Sequence, residues 1–311
     1  MNILVKLRRF VERPSRLPIG VLLRYAKLLN DQRALVYGMY WLSIGKIPNL
    51  KNPTTFNEKI SWLKLNDHNP KYHTLVDKLA VKDYVASVMG SEYIIPTLGI
   101  WDTFDEIDFD SLPNQFVLKT TNGGGNSGVV ICTDKRSFNK VDAREKLHKS
   151  LTYDIYLNMG EWAYKGVVPR IMAEEFMEDY SDITSIQLGN SELKDYKFFC
   201  FNGRVEFFKI DFDRNIEHHA NYYNRNMEIQ NFGELLCLPN YNKKIDIPVN
   251  LSDMIKFAEK LSSDLLFARI DLYNVNNHIY FGEITFYPNS GNGKFVPEEW
   301  DLRLGNYLNI H

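Results

Sequence analysis

Two apolar segments near the C-terminus, residues 267–273 and 278–286, restrict the fold of this chain more than any other feature. Both are rich in Phe, Ile, Leu and Tyr, and only the polar stretch 274–277 separates them. Short β-prone segments on either side of a brief polar turn are typical of an antiparallel β-hairpin. The sequence therefore predicts a hairpin that helps to fill the core of a sheet.

Four polar side chains lie on this predicted hairpin. Because side chains two apart along a strand share a face, Arg269 points the same way as Asp271, and Glu283 the same way as Thr285. Pairing can bring Asp271 and Glu283 side by side, where two carboxylates repel unless a cation lies between them. Mg²⁺ is the usual cation when phosphates are also bound. The alternative is a pair of carboxylates on a solvent-exposed face.

A glycine-rich loop joins two further predicted strands, residues 116–119 and 129–132. The loop follows Lys119, and its glycines are Gly123, Gly124, Gly125 and Gly128. Consecutive glycines let backbone N–H groups approach an anion, and the lysine adds a mobile positive charge. The loop is neither a Walker A motif nor a dinucleotide fingerprint. A phosphate-binding loop and a flexible hairpin loop both remain open at this point.

Two adjacent acids, Glu174 and Glu175, end the apolar run of residues 170–177, which reads as a buried strand. The edge of such a strand can offer backbone N–H and C=O groups to a purine. Strands that end in Glu are common, so this feature alone indicates little.

The rest of the chain mixes helices with hairpins. Helical periodicity covers residues 54–89 with a break at 66–71 and a capping box at Thr55–Glu58, and it returns at 137–151 and 251–266. Asn202-Gly203 indicates a type I′ turn in another hairpin. Helices and strands do not alternate strictly, so we expect an α+β fold with antiparallel sheets and not a doubly wound one.

Composition narrows the class of protein. With 311 residues, two or three lobes are expected, and a formal charge of −2 gives no overall basic field for nucleic acid. Three separated cysteines form neither a disulfide framework nor a zinc pattern. The chain shows neither a membrane-spanning run nor a secretory signal, so we expect a cytoplasmic protein.

The N-terminal region is locally basic. Residues 1–40 hold eight Lys or Arg residues against two acids, with apolar side chains between the cations. This pattern predicts a segment, residues 1–30, that makes peripheral contact with an anionic membrane face. An ordinary surface helix with solvated charges is the alternative.

The order of these motifs resembles the ATP-grasp superfamily of carboxylate–amine ligases, and specifically its TupA-like branch, named for teichuronopeptide biosynthesis. The resemblance runs from about Asn52 to Tyr307 through KNPTTFNEKISWLKL, LVDKLAVKDYV, DYKFFCFNGRVEFF and FARIDLYNVNNHIYFGEITFYPNSG. It implies two antiparallel-sheet α+β lobes that clasp ATP. The corresponding division is a helical N-terminal region (1–95), a small lobe with the phosphate loop (96–175) and a large lobe with the metal-binding hairpin (176–311).

The resemblance also implies a role for each matching residue. Lys78 and Lys119 would contact the nucleotide phosphates under the glycine loop, and Arg269 would steady developing negative charge. Asp271 and Glu283 would hold magnesium. A four-residue segment would hold adenine: Glu174, Glu175, Phe176 and Met177. Within it, Glu174 would lie towards the exocyclic amine of the base. Asp195 would contact the ribose and Lys197 would face the nucleotide.

Two departures from the family pattern stand out. Thr285 occupies a position where the superfamily usually has Asn, so a hydroxyl or a backbone carbonyl would complete the metal site. The residues just after Lys119 are Thr120, Thr121 and Asn122, where the branch often has Cys, Asn and His. The first difference concerns the geometry of the metal site, and the second concerns the choice of acceptor substrate.

The chemistry that the resemblance implies is ATP- and Mg²⁺-dependent amide formation through an acyl phosphate. We expect carboxylate and amine substrates, either small molecules or a glycan bearing a uronic acid, for cell-surface polysaccharide synthesis. Three alternatives remain: a glycan kinase, a non-catalytic nucleotide-binding assembly protein, and a glycosyltransferase using Asp211-Phe212-Asp213. We expect that last motif to be a surface turn, and His218-His219 to be a surface pair. The sequence leaves the oligomeric state open.

Overall fold

Two antiparallel sheets organise the chain in a computed structural model, which describes residues 17–124, 127–179, 193–212, 217–243, 245 and 247–310. The strands are β1 (Thr97–Trp101), β2 (Phe116–Thr120), β3 (Val129–Cys132), β4 (Ile171–Glu175), β5 (Asp195–Phe201), β6 (Arg204–Phe212), β7 (His219–Asn224), β8 (Ile229–Gln230), β9 (Gly233–Glu234), β10 (Phe267–Val275), β11 (His278–Thr285) and β12 (Phe295–Val296). The helices are α1 (Leu17–Leu28), α2 (Gln32–Ile44), α3 (Phe56–Asn66), α4 (Lys71–Val76), α5 (Ala80–Met89), α6 (Lys140–Leu151), α7 (Ile155–Met159), α8 (Leu251–Ser262) and α9 (Glu299–Tyr307).

The small sheet has four strands in the order β1-β4-β2-β3, all antiparallel. Burial alternates along β2, where Phe116 and Leu118 face the core. Helix α6 covers this face and contributes Ala143 and Leu147 to the same buried cluster. One side of the small sheet is therefore packed, and Lys119 lies on the other.

The large sheet has six strands in the order β11-β10-β5-β6-β7-β8, and strands β9 and β12 pair separately. Its apolar side chains form the main core together with α8, whose Met254, Phe257 and Leu261 are buried. Phe, Tyr and branched side chains suit such a half-buried pleated surface, which explains the high aromatic content of β5, β6 and β10.

Helices α3 to α5 share the core of the large sheet. Phe56, Ile60 and Leu75 belong to the same buried cluster as the strands of that sheet. Helices α1 and α2 form a separate small cluster around Leu35. The three-part division at residues 95 and 175 stays a prediction.

Both predicted turns are present, with one correction. Asn202 and Gly203 have φ of 49° and 78°, which fits the predicted type I′ turn. The C-terminal hairpin is tighter than the sequence suggested, because β10 continues to Val275 and the turn is only Asn276-Asn277, both with positive φ. Asn tolerates that conformation well, which permits a two-residue connection.

The predicted helix ends are partly confirmed. The Thr55–Glu58 capping box starts α3, as predicted. Helix α6 begins at Lys140 and not at Ser137, because Asn139 caps it and a 3₁₀ turn precedes it. Residues 1–16 of the predicted membrane-contacting segment lie outside the described residues. Within the described part of the chain, every helix is too short or too polar to cross a membrane.

Candidate active site

Four neighbouring strands place a row of charged side chains on one face of the large sheet. The strand register opposes Glu283 to Asp271, Asp271 to Lys197, and Lys197 to Lys209. Side chains at directly opposed positions share a face. The predicted juxtaposition of Asp271 and Glu283 is therefore confirmed, and the row extends beyond the hairpin onto β5 and β6.

Arg269 connects the polar residues of the hairpin. Its guanidinium donates to both carboxylate oxygens of Asp271, with Nε–Oδ1 and Nη2–Oδ2 distances of 2.7 Å each. Nη2 also donates to Glu283 Oε1 at 3.3 Å and to Thr285 Oγ1 at 3.1 Å. A planar guanidinium can serve two carboxylates and a hydroxyl at once, which a lysine cannot. The four hairpin residues predicted to act together thus lie in one contact group.

Two lysines extend this group. Lys197 Nζ contacts the carboxylate of Asp195, lies 2.7 Å from Asp271 Oδ2 and lies 3.7 Å from Asp211 Oδ2. Lys78 Nζ lies 3.2 Å from Glu283 Oε2 and also donates to the carbonyl oxygen of Gly123 in the glycine loop. Lys78 therefore links the loop of the small sheet to the hairpin of the large one.

The pKa values of the two hairpin carboxylates are shifted in opposite directions. Burial raises the pKa of Asp271, whose side chain is only 3% exposed. Burial also acts on Glu283, but Lys78 and Arg269 outweigh it and lower the pKa of Glu283 to about 2. The pKa of Arg269 is raised: burial opposes the charged form, but Asp271 favours it more strongly. The site is thus a set of ionised oxygen donors closely matched by cations.

This donor set fits magnesium. Two carboxylates and the hydroxyl of Thr285 supply only hard oxygen ligands, which Mg²⁺ prefers. Gly282 directly precedes Glu283 on β11. It lets β11 pack closely against β10, because a Cβ at this position would lie 2.9 Å from the carbonyl oxygen of Asp271. Asp271, Glu283 and Thr285 are therefore the residues that would hold the ion.

A second charged group lies on the small sheet. Glu174 is 5% exposed, and its carboxylate contacts Lys119 through one oxygen and Lys82 Nζ at 2.7 Å through the other. Lys82 Nζ also donates to the carbonyl oxygen of Ile95 at 2.8 Å. Burial raises the pKa of Glu174, but the two lysines lower it more, so the net shift is downward. Each carboxylate oxygen of Glu174 thus contacts a lysine ammonium group. The contact of Glu174 with adenine stays a prediction.

The glycine loop begins directly after Lys119. A Cβ on Gly128 would lie 2.2 Å from Thr120 Oγ1 and 2.5 Å from Ser150 Oγ, two hydroxyls that are hydrogen-bonded to each other at 2.7 Å. Gly124 has open space around it, and Gly125 lies outside the described residues. The buried Asn122 Oδ1 has no hydrogen-bond partner among the described residues. Gly128 is thus needed for packing, and the open part of the loop lies nearer Gly124.

The remaining predicted residues surround these groups. Asp195 lies beside Lys197, on the row next to the hairpin carboxylates. Glu175 is exposed, whereas Phe176 and Met177 are partly buried just beyond β4. The structure therefore brings Asp195 into the large-sheet cluster, and it places Phe176 and Met177 directly beyond the end of β4.

One sequence interpretation needs correction, and several charged residues were missed. Asp211 is not in a surface turn: it is 4% exposed within β6 and contacts Lys197, while Asp213 lies outside the described residues. Lys209 and Glu234 are also buried and lie 3.4 Å apart. The signal for Lys209 was its position two residues before Asp211 in an apolar strand, which puts both on the polar face.

Taken together, the two sheets define the class. The chain combines a four-stranded sheet that carries Lys119 and the glycine loop with a six-stranded sheet that carries the carboxylate hairpin, and Lys78 contacts both the loop and the hairpin. This arrangement is an ATP-grasp fold.

The family follows from the sequence match. The model of the family described as TupA-like ATPgrasp matches residues 58–309, so the chain belongs to that family. No curated protein matches the chain significantly.

Solved structures with a similar fold are distant. D-alanine–D-alanine ligase from Bacillus anthracis is 15% identical with a TM-score of 0.38, over 68% of this chain and 57% of that one. An ADP complex of PurK, N5-carboxyaminoimidazole ribonucleotide synthetase, is 14% identical with a TM-score of 0.41, over 74% and 50%. The ATP-grasp ligase PsnB with Mg and ADP is 10% identical with a TM-score of 0.41, over 94% and 70%. The chain thus spans 57% of the first of these proteins and half of the second.

Proposed function

We propose that this protein is an ATP- and Mg²⁺-dependent carboxylate–amine ligase that forms an amide through an acyl phosphate. The observation that supports this most strongly is the single contact group of Arg269, Asp271, Glu283 and Thr285, joined through Lys78 to the glycine loop. A nucleotide-binding protein without turnover has little need for paired buried carboxylates and a guanidinium at one point.

The proposed role of each residue follows from its position in the site. Lys78, Lys119 and the loop glycines Gly123 and Gly124 neutralise and enclose the phosphates. Arg269 supplies a bidentate cation for negative charge that develops on the transferring phosphoryl group. When bound, ATP and magnesium supply the activated phosphoryl group that turns a poor acyl donor, a carboxylate, into a good one.

The nucleoside end lies along β4 and β5. Residues 174–177 offer the adenine a strand end, and Asp195 offers the ribose a carboxylate. Lys197 faces the nucleotide from the centre of the charged row, where its ammonium already contacts three carboxylates. Burial lowers the pKa of Lys197, but Asp195 and Asp271 raise it more, so Lys197 stays cationic.

The substrates we propose are a uronic acid carboxylate, on a cell-surface polysaccharide or its precursor, and an amino acid or amino sugar. The family's name points to cell-surface glycan synthesis, and the basic segment at residues 1–30 would bring the enzyme to the cytoplasmic face of an anionic membrane.

The test is release of ADP and phosphate from purified protein with Mg-ATP, across uronic acids crossed with amino acids and amino sugars, with mass spectrometry of the products. We expect turnover that requires both an acid and an amine. Phosphorylation of a single hydroxyl compound would show a kinase instead, and tight ATP binding with no turnover on any pair would contradict the proposed substrates.

A further inference from the structure

A mixed set of metal-ligating side chains lies beside the charged row, outside the Mg²⁺-ATP residues. Asp211 lies near the end of β6, His218 directly precedes β7, and Cys237 follows β9. One ligand atom from each lies within 4.8 Å of the other two. Asp211 and Cys237 are buried, whereas the His218 side chain is 45% exposed. The end of β6, the residue before β7 and the segment after β9 thus converge on one point that solvent can reach.

The spacing of the oxygen and nitrogen suits a shared cation. His218 Nε2 and Asp211 Oδ1 are 3.3 Å apart. Two ligands about 2.0–2.1 Å from a tetrahedral zinc ion are about 3.3–3.4 Å apart. The separation is therefore compatible with two ligands of one zinc ion, and it is also within hydrogen-bond distance.

The donor chemistry separates this site from the magnesium site. Thiolate, imidazole and carboxylate together favour Zn²⁺ or a similar borderline cation, whereas Mg²⁺ takes oxygen ligands alone. We propose that Asp211, His218 and Cys237 bind one Zn²⁺, with the fourth position left to water. Cys237 Sγ, which lies 3.7 Å from the carbonyl oxygen of His218, moves towards the ion and releases its proton on binding.

Two lysine side chains lie near the carboxylate of this site. Asp211 lies 3.7 Å from Lys197 Nζ and 3.8 Å from Lys209 Nζ, so neither ammonium is within hydrogen-bond distance of this carboxylate.

The test uses Co²⁺ as a spectroscopic substitute, added to the full-length protein in excess Mg²⁺ so that Asp271 and Glu283 are occupied by the harder ion. We expect one equivalent to bind with a near-ultraviolet thiolate-to-cobalt charge-transfer band, and Zn²⁺ to displace it. This readout needs no ATP turnover, so it is independent of the proposed ligase function.

Variants assign the ligands. Cys237→Ser should abolish the charge-transfer band, and His218→Ala should weaken Co²⁺ binding at least about tenfold. Cys132→Ser, a buried cysteine of the small sheet, is the matched control and should keep the band. Circular dichroism checks that each variant is folded. Absence of the band in the wild type, or its persistence in Cys237→Ser, would overturn the site.

Discussion

Glu174 offers a sharp test of the charges in the small sheet, because the next residue is a matched control. Its carboxylate lies between Lys82 and Lys119 and is 5% exposed, whereas Glu175 is exposed. Glu174→Gln keeps an acceptor oxygen but removes the charge between two ammonium groups. Breaking a buried pair in this way costs about 3 kcal/mol. Glu175→Gln should change the free energy of unfolding by about 0.5 kcal/mol or less.

The effect of Glu174→Gln depends on pH with a definite sign. The folded protein lowers the pKa of Glu174 below its ordinary value of 4.5. A carboxylate with a lowered pKa stabilises the fold above that ordinary value, and the contribution is lost as the pH falls towards the folded pKa. The difference between wild type and Glu174→Gln should therefore be full at pH 7 and shrink as the pH drops below about 4.5.

The assay is denaturant unfolding of the wild type, Glu174→Gln and Glu175→Gln at pH 7 and at several acidic values, without nucleotide. Equal stability of the two variants at pH 7 would refute the buried pairing. A difference that grew on acidification would refute the assigned direction of the pKa shift.

Three further predictions concern other parts of the molecule. Lys119→Ala and Glu283→Gln should each lower Mg-dependent ATP turnover about 100-fold or more with the circular dichroism spectrum unchanged, and a wild-type rate in either would show that the site is assigned wrongly. Gly128→Ala should destabilise the fold by about 1–3 kcal/mol in thermal unfolding, because its Cβ would overlap the Thr120–Ser150 hydroxyl pair, whereas Gly124→Ala should be neutral. Deleting residues 1–16, which retains helix α1, should weaken sedimentation of the protein with anionic liposomes. Unchanged sedimentation would argue against membrane contact.

The hairpin could be predicted from sequence because its information is local. Alternation at two-residue spacing fixes which side chains of each strand share a face, so a hairpin with Asp271 near Glu283 could be predicted. The exact register could not, because the regular pairing beyond the turn would oppose Asp271 to Gly282, and a register shift between Asp271 and Leu272 brings Glu283 opposite Asp271 instead. The turn is also two residues shorter than predicted, since Val275 is apolar and continues the strand. The Thr55–Glu58 capping box was predictable for the same reason.

Contacts between distant segments could not be predicted in this way. Lys82 reaches Glu174 across 92 positions of sequence, and nothing in the helical pattern distinguishes it from other surface lysines. Asp211, His218 and Cys237 show no metal-ligand spacing, because the strand order of the large sheet and the turn after β9 bring them together. Family resemblance supplied Lys78, whose contact with Glu283 also has no local signal.

The most direct measurement of the central claim follows oxygen from the acid substrate. With a carboxylate labelled with ¹⁸O in both oxygens, an acyl phosphate passes one labelled oxygen to the phosphate that the amine releases, and the amide keeps the other. Mass spectrometry of the phosphate should therefore find one ¹⁸O per ADP formed, dependent on the amine. Unlabelled phosphate alongside product formation would contradict the ligase mechanism and indicate that the phosphoryl group goes elsewhere.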